Sequence, residues 1–347
     1  MSAFEGARGS GRREKESGFA LLVVLLAITL LTIVVIEFTD TAQVETHLAL
    51  SARNALQATY LARSGVNVAE ALVSLDGQIS PGNDSASDYW ARPFPPLPIG
   101  DGSVAFRVRD EARFLNFNDI VSAGTVRQDR VAVFRRLFKV LGVDERILMA
   151  AIDWVDSDSA PIVTPPGAEQ PYYLGLTTPT IVRNGPLLTL RELLLVRGVT
   201  PTILARLEGF VTVLPNSKEL RVNINTAPAE VLYALSDGML ADPGVVDRLI
   251  ATRETAPFDG AGEALKSVTG LSEALGDGRE LIDTDSPYFR IEAVGEIGDV
   301  RRGVIEVVRR DSKRLQRITW TPSSTTLALT SQPPSDFLAT LPLLGDS

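Results

Sequence analysis

The chain contains no cysteine among its 347 residues and a single histidine, His47. Disulfides, thiol nucleophiles and cysteine-ligated zinc are excluded, and a histidine-rich metal site or a Ser/His/Asp triad has almost nothing to draw on. Aromatic residues are scarce at 6%, too few for the sugar-binding cleft that a carboxylate-pair glycosidase needs. Positive charge is in deficit as well. Lys and Arg number 34 against 43 Asp and Glu, a net charge of -9, which argues against non-specific nucleic-acid binding, where dense positive charge displaces phosphate counterions. With 45% hydrophobic residues, most of the chain should fold as ordinary globular protein, and its length allows two domains. A scaffold, a binding module or an enzyme built on carboxylates remains.

The most informative segment is residues 19–36, FALLVVLLAITLLTIVVI, which carries no charge. At about 1.5 Å per residue it spans roughly 27 Å, close to a bilayer core. The polar stretch before it holds Arg8, Arg12, Arg13 and Lys15 against Glu5, Glu14 and Glu16, a Lys/Arg bias that favours a cytoplasmic N-terminus. A cleaved secretory signal needs a small-residue site just after the apolar run, and Glu37, Phe38, Thr39 and Asp40 supply none. An uncleaved anchor accounts for the run itself. It leaves the next segment unexplained: Leu48, Ala52, Ala55, Thr59, Ala62, Val66, Ala69 and Val73 form a helical stripe with no proline before Pro81. One helix is therefore expected over residues 19–75, its first half suited to lipid and its second to packing on a sheet. His47 falls on it as a solvated residue.

Residues 79–102 are rich in Pro, Gly, Ser and Asp and read as a loop leaving that helix. Residues 103–110 alternate as a half-buried strand, and a matching set comes much later, at 289–293 and 304–308, with a short strand ending at Trp320. Between them, short apolar helical patterns occupy 131–141, 145–155, 190–197, 201–207, 229–234 and 245–252. Thr189 and Glu192 are spaced as a capping box, and Thr226 before Pro228 suits a helix start. The expected fold is α+β: a long N-terminal helix, a small antiparallel sheet and a large inserted all-α domain.

The junction Ser17, Gly18, Phe19 resembles the prepilin-peptidase site of type IV pilins and type II secretion pseudopilins. The stretches Arg113-Phe114-Leu115-Asn116-Phe117-Asn118, Ala151-Ile152-Asp153-Trp154-Val155-Asp156-Ser157-Asp158, Gly185-Pro186-Leu187-Leu188 with Glu192-Leu193, and Arg221-Val222-Asn223-Ile224-Asn225-Thr226-Ala227-Pro228 resemble, in order, the signatures of the type II secretion minor pseudopilin K family. The resemblance covers roughly residues 15–320. It implies a leader of residues 1–18, cleavage between Gly18 and Phe19, methylation of the new amine, a membrane half at 19–36 and a periplasmic half at 37–76. The implied body is a pilin-like sheet from 77–118 and 284–320 and an inserted α-domain at 119–283 of SAM-like or helix-hairpin-helix-like build; residues 321–347 lie outside the resemblance and, rich in Ser, Thr, Pro and Leu, read as a flexible tail. With no cysteine, one histidine and few aromatics, this chain is expected to be a structural assembly protein and not an enzyme. Members of the family start the pseudopilus and limit its length from its tip, in the inner membrane of the secretion machine. The implied partners are minor pseudopilins I and J, the H and major pseudopilins and prepilin peptidase. Most pilin-like chains carry a Glu at the fifth mature position, which pairs with a neighbour's amine; here that position is Val23, as suits a subunit with no neighbour above it.

Two constellations could carry chemistry. Asp153, Asp156 and Asp158, with Glu169 beyond a proline-rich loop, form the densest acidic cluster. Oxygen ligands suit calcium, though the spacing is not that of an EF-hand, and solvated capping acids or a catalytic acid pair are the other readings; the resemblance favours calcium. The second, residues 222–232 continuing through Pro257, Phe258 and Gly270, resembles a helix-hairpin-helix unit, a module often used to hold DNA phosphates. Residues 221–283 hold five basic and eleven acidic side chains, so helix packing without nucleic acid is expected. The alternatives to a tip pseudopilin are a type IV pilus minor pilin, a membrane-anchored helix-hairpin-helix DNA receptor of uptake, and, more remotely, an anchored carboxylate enzyme.

Overall fold

The computed structural model describes residues 10–215, 220–311 and 314–323. The start of the leader and residues 324–347 lie outside the described residues, and the flexible tail expected from Thr321 begins instead as strand, since Thr321, Pro322 and Ser323 pair with Ile305, Val304 and Gly303. One helix, α1 (Ser10–Ile79), runs for 70 residues, longer than expected at both ends. Nothing in the leader stops it: no proline occurs there, and an interior glycine such as Gly18 costs only about 1 kcal/mol. At the other end Ser80 still donates its N–H to Asp76 O at 2.9 Å, and Pro81 then disfavours helical geometry at the residue before it. In its first half, a window of mean hydropathy 3.2 has none of its surface buried. His47 is exposed.

The second half of α1 packs on a five-stranded antiparallel sheet. Its strands lie in the order β1 (Leu97–Ile99), β2 (Gly102–Asp110), β3 (Tyr288–Ile297), β4 (Val300–Asp311) and β5 (Arg314–Ser323). Strand β5 is longer than the short strand expected. Val307 pairs with Thr319 and Val308 with Arg317, so Ile318 is bulged out and the period-two pattern breaks there. Ala58, Ala62, Val66, Ala69 and Val73 are fully buried, and the last four pack with Phe106, Val108, Phe289, Ile291 and Val304. Leu48 and Ala52, at the start of the predicted stripe, are exposed because the sheet does not reach them. The approach is close at Gly295, where a Cβ would stand 2.1 Å from Ala58 O and 2.7 Å from Ala62 N.

Direction along the sheet follows from these contacts. At the Gly102–Ile297 end the neighbours on α1 are Ala58 and Leu61, while at the other end Gly77 faces Arg310. The α-lobe leaves after Asp110 and returns at Tyr288, where Asp110 pairs with Phe289. It is thus inserted at the sheet end farthest from the membrane half of α1.

Within the lobe the main helices are α2 (Gln128–Leu141), α3 (Glu145–Val155), α4 (Gln170–Leu174), α5 (Pro201–Leu207), α6 (Ala229–Ala234), α7 (Asp237–Ala241), α8 (Pro243–Thr255), α9 (Ala261–Ser267) and α10 (Leu271–Leu275). They enclose one core around Phe117, Phe134, Phe138, Leu148, Met149, Ile152 and Trp154. Two expected caps are not formed. Leu190–Leu195 is a 3-10 helix without a side-chain cap at Thr189. Glu192 instead accepts from Leu188 N at 3.1 Å and Trp154 Nε1 at 3.3 Å, a buried partner that a local cap cannot match. Thr226 does not cap α6 either; its hydroxyl donates to Asp110 Oδ2 at 2.5 Å. Between α6 and Gly244 lies the short helix α7, capped by Ser236 Oγ accepting from Met239 N at 3.0 Å.

Candidate functional site

The helix start places the processing residues first. Gly18 lies within α1, where a Cβ would meet nothing within 4 Å, and Phe19 and Val23 are exposed, at 70% and 46%. The described surface at this junction is therefore open to another protein, and no packing contact demands the glycine.

The four acids of the predicted cluster divide into two roles. Asp153, buried on the last turns of α3, receives Ile162 N–H at 3.2 and 3.3 Å on its two oxygens. A Cβ on Gly167 would lie 2.0 Å from Asp153 Oδ2, so the proline-rich loop closes tightly on this carboxylate. Asp153 thus works as a clamp on the backbone. Asp156, Asp158 and Glu169 each offer a carboxylate oxygen, and these atoms lie within 4.8 Å of one another. Asp156 follows α3 directly and Glu169 caps α4 through Gln170 N at 3.2 Å, so helix ends fix both backbones. Asp156 Oδ1 and Glu169 Oε1 are buried without a hydrogen-bond partner. Burial, reinforced by Asp158, Asp153 and Glu169, pushes the Asp156 carboxyl up from 3.8 to about 7, and burial raises Glu169 as well. Three carboxylates that can bring oxygens together, two of them with a buried oxygen lacking a partner, match the oxygen-rich ligand set of a hard divalent cation such as calcium.

A pH dependence follows from that shift. Below 3.8 the Asp156 carboxyl is protonated in the folded and unfolded chain alike; from there to about 7 the unfolded chain gives up the proton while the folded lobe keeps it. Stability present at low pH is therefore lost as pH rises through this window. In chelator, the thermal midpoint should fall between about pH 5 and about pH 7, and Asp156→Asn should make that fall shallower. An unchanged slope in the variant would show that Asp156 is not the group responsible.

A second acidic group, Asp76, Asp84 and Asp88, was not legible in the sequence, because its members come from the end of α1 and the following loop. Arg310 of β4 enters it, bonded to Asp84 Oδ2 and, at 3.1 Å, to Asp285 Oδ1. Burial pushes both Asp76 and Asp84 up while Arg310 opposes the rise. The arrangement ties the end of α1 to the sheet.

The asparagine-rich stretches are braces rather than reactive groups. Asn118 Nδ2 donates to Leu187 O at 3.0 Å and Leu214 O at 2.9 Å, joining three segments of the lobe. Asn223 Nδ2 donates to Asp84 O and Asp110 Oδ2, both at 2.9 Å, and Asn225 bonds both backbone groups of Phe258 at 3.0 Å. Asp110 is the centre of this seam, accepting also from Thr226, Ser286 and Ala112 N. At the predicted helix-hairpin-helix, Arg248 Nε donates to Thr269 O at 3.2 Å, so this cation is engaged with the hairpin itself.

An exposed apolar helix of membrane length that continues into a sheet-packed half defines a pilin-like protein, here with an α-lobe inserted between two central strands. Family models described as "Type II secretion system (T2SS), protein K" match residues 112–216 and 222–284. Similar proteins include type II secretion system protein K of Aeromonas hydrophila, 31% identical over 83% of this chain and 91% of the relative, and that of Pseudomonas aeruginosa, 29% identical over 86% and 90%. A chain in the crystal structure of the GspK-GspI-GspJ complex from enterotoxigenic Escherichia coli shares the fold, with a TM-score of 0.68 and 19% identity over 80% of this chain and 99% of that one. The chain belongs to the type II secretion system protein K family and is a minor pseudopilin, a structural component of protein secretion. Its apolar N-terminal helix fits a single-pass inner-membrane anchor.

Proposed function

We propose that the chain caps the tip of the type II secretion pseudopilus, starting its assembly and limiting its length. The observation that carries this reading is the insertion of the lobe at the sheet end farthest from the membrane half of α1. A filament extended from the membrane places each new subunit below the last, so a lobe at the distal end is accommodated only where nothing sits above. Val23 supports the same position. An acid in the bilayer costs roughly 2.5–3.5 kcal/mol on insertion scales, and a subunit without an upper neighbour has no amine to offset that cost.

Peptidase cleavage between Gly18 and Phe19 on the cytoplasmic side, with methylation of Phe19, would release the helix into the filament and leave the sheet and lobe in the periplasm. Partners are minor pseudopilins I and J, as in the related solved complex, with H and the major pseudopilin below. Asp156, Asp158 and Glu169 are the candidate calcium ligands, and bound calcium would neutralise their mutual repulsion and fix the loop closed by Asp153. The test is a secreting host that lacks its own protein K and overproduces the major pseudopilin. Supplying this chain should shorten the filaments, and an antibody to the lobe should label one end of each. Labelling along the shaft would overturn the tip assignment.

A further inference from the structure

At the seam between sheet and lobe a cleft of about 660 Å³ is lined by Trp90 and Arg109 from the sheet side and Arg113, Asn225, Thr226 and Arg253 from the lobe side. Three guanidinium groups on one cleft are unexpected in a chain of net charge -9. Arg109 lies 3.8 Å from Glu111 and 3.9 Å from Glu292. Arg113 and Arg253 differ: among the described residues neither has a carboxylate oxygen within 4.0 Å. Arg253 spends one N–H on Ile224 O at 2.6 Å. Arg113 makes no hydrogen bond among the described residues, its Nε is buried without a partner, and its guanidinium rests 5.3 Å over the Phe114 ring. Phe114 also carries Arg109 at 5.4 Å.

Asp110 lines the same cleft yet is committed elsewhere. Its two oxygens take Thr226, Asn223, Ser286 and Ala112 N, and the residue is buried. Burial and the neighbouring Arg113 both lower the basicity of Arg253, and Glu254 on the rim of the same cleft only partly opposes them. Asp110 and Glu111 attract Arg113, but among the described residues no carboxylate is paired directly with either cation; two half-buried cations beside each other in that state are costly unless a counter-charge completes the site. Guanidinium groups present planar forks of N–H donors whose geometry matches carboxylate, phosphate and sulfate oxygens.

We propose that this cleft is an oxyanion site, with Arg113 and Arg253 gripping a carboxylate, phosphate or sulfate group between sheet and lobe. The same chemistry can come from a free anion or from an acidic side chain of a neighbouring protein. The test uses the full chain in detergent, with the thermal midpoint followed during titration with sodium sulfate, sodium chloride at matched ionic strength, and a tetraglutamate peptide. A ligand held only by the folded chain raises the midpoint in a saturable way. Sulfate should do so where chloride does not, and Arg113→Gln should lose the response. Without added anion, Arg113→Gln should melt no lower than the wild type, because the substitution removes a poorly solvated charge and its repulsion of Arg109 and Arg253, which outweigh its attraction to Asp110 and Glu111; a merely structural Arg113 predicts a lower midpoint. Arg253→Lys keeps the charge but not the fork, so half-saturation should move up by about tenfold. A response to sulfate identifies a free-anion site, and a response to the peptide alone identifies an acidic side chain as the occupant. No saturable response to either probe, or an equal one in Arg113→Gln, overturns the proposal.

Discussion

Gly18→Leu should leave the precursor uncut and reduce secretion to background, while the folded body stays intact. Two features separate these effects. A Cβ at Gly18 meets nothing within 4 Å, and α1 passes through this position without a break. Glycine costs about 0.8–1 kcal/mol relative to alanine inside a helix and leucine ranks close to alanine, so no loss of structure is available to explain a loss of function. The measurement is mass spectrometry of the N-terminal peptide from membrane-extracted protein, with and without prepilin peptidase. The wild type should yield an N-methylated Phe19 only when the peptidase is present, and the variant should retain Met1. A wild-type chain that keeps Met1 in both samples would remove the processing assignment.

The largest effect on stability is expected at Gly295, where the helix backbone stands directly over the sheet. Gly295→Val would drive a side chain into Ala58 O and Ala62 N. Those are backbone atoms inside a helix, and they cannot turn aside as a flexible side chain can. Overpacking ordinarily costs about 1–3 kcal/mol, and this substitution should reach or exceed the upper figure. Thermal unfolding of the full chain in detergent should show it, with early proteolysis of α1 once it is levered off β3. Gly262→Ala is the control: it lies in α9 with nothing within 4 Å of its Cβ, and should be neutral or stabilising by up to about 1 kcal/mol. Equal losses in the two variants would mean that the helix–sheet approach is not the source.

The long helix and the central strands were legible because their patterns are sustained: an uncharged run, a stripe repeating through Val73, and alternation over residues 103–110. The bulge at Ile318 hid the length of β5, since one extra residue reverses the alternation read from Leu315 to Trp320. Small helices such as α4 and α7 were missed because five residues hold too little periodicity to separate them from a loop. The acidic cluster was legible as a composition, but its geometry was not. Spacing alone does not show that Asp153 faces backbone N–H groups while Asp156 and Glu169 keep buried oxygens free. Asp110, Arg113 and Arg310 were invisible as sites for the same reason: each acquires its neighbours from segments more than a hundred residues away, or from another strand.

The lobe leaves and re-enters between strands paired directly at Asp110 and Phe289, so the two ends of the 111–287 segment stand side by side, as the two legs of a hairpin do. Residues at such a pairing are about 5 Å apart, a distance that a two-residue turn can close. The sheet and α1 already hold a hydrophobic cluster of their own. In architectural terms the lobe is a cassette plugged into a hairpin socket, and its latch is the Asp110 seam rather than the strands. A minimal pilin made by splicing residue 111 to residue 287 through a short turn should therefore keep its sheet register, and the same socket could accept a different lobe.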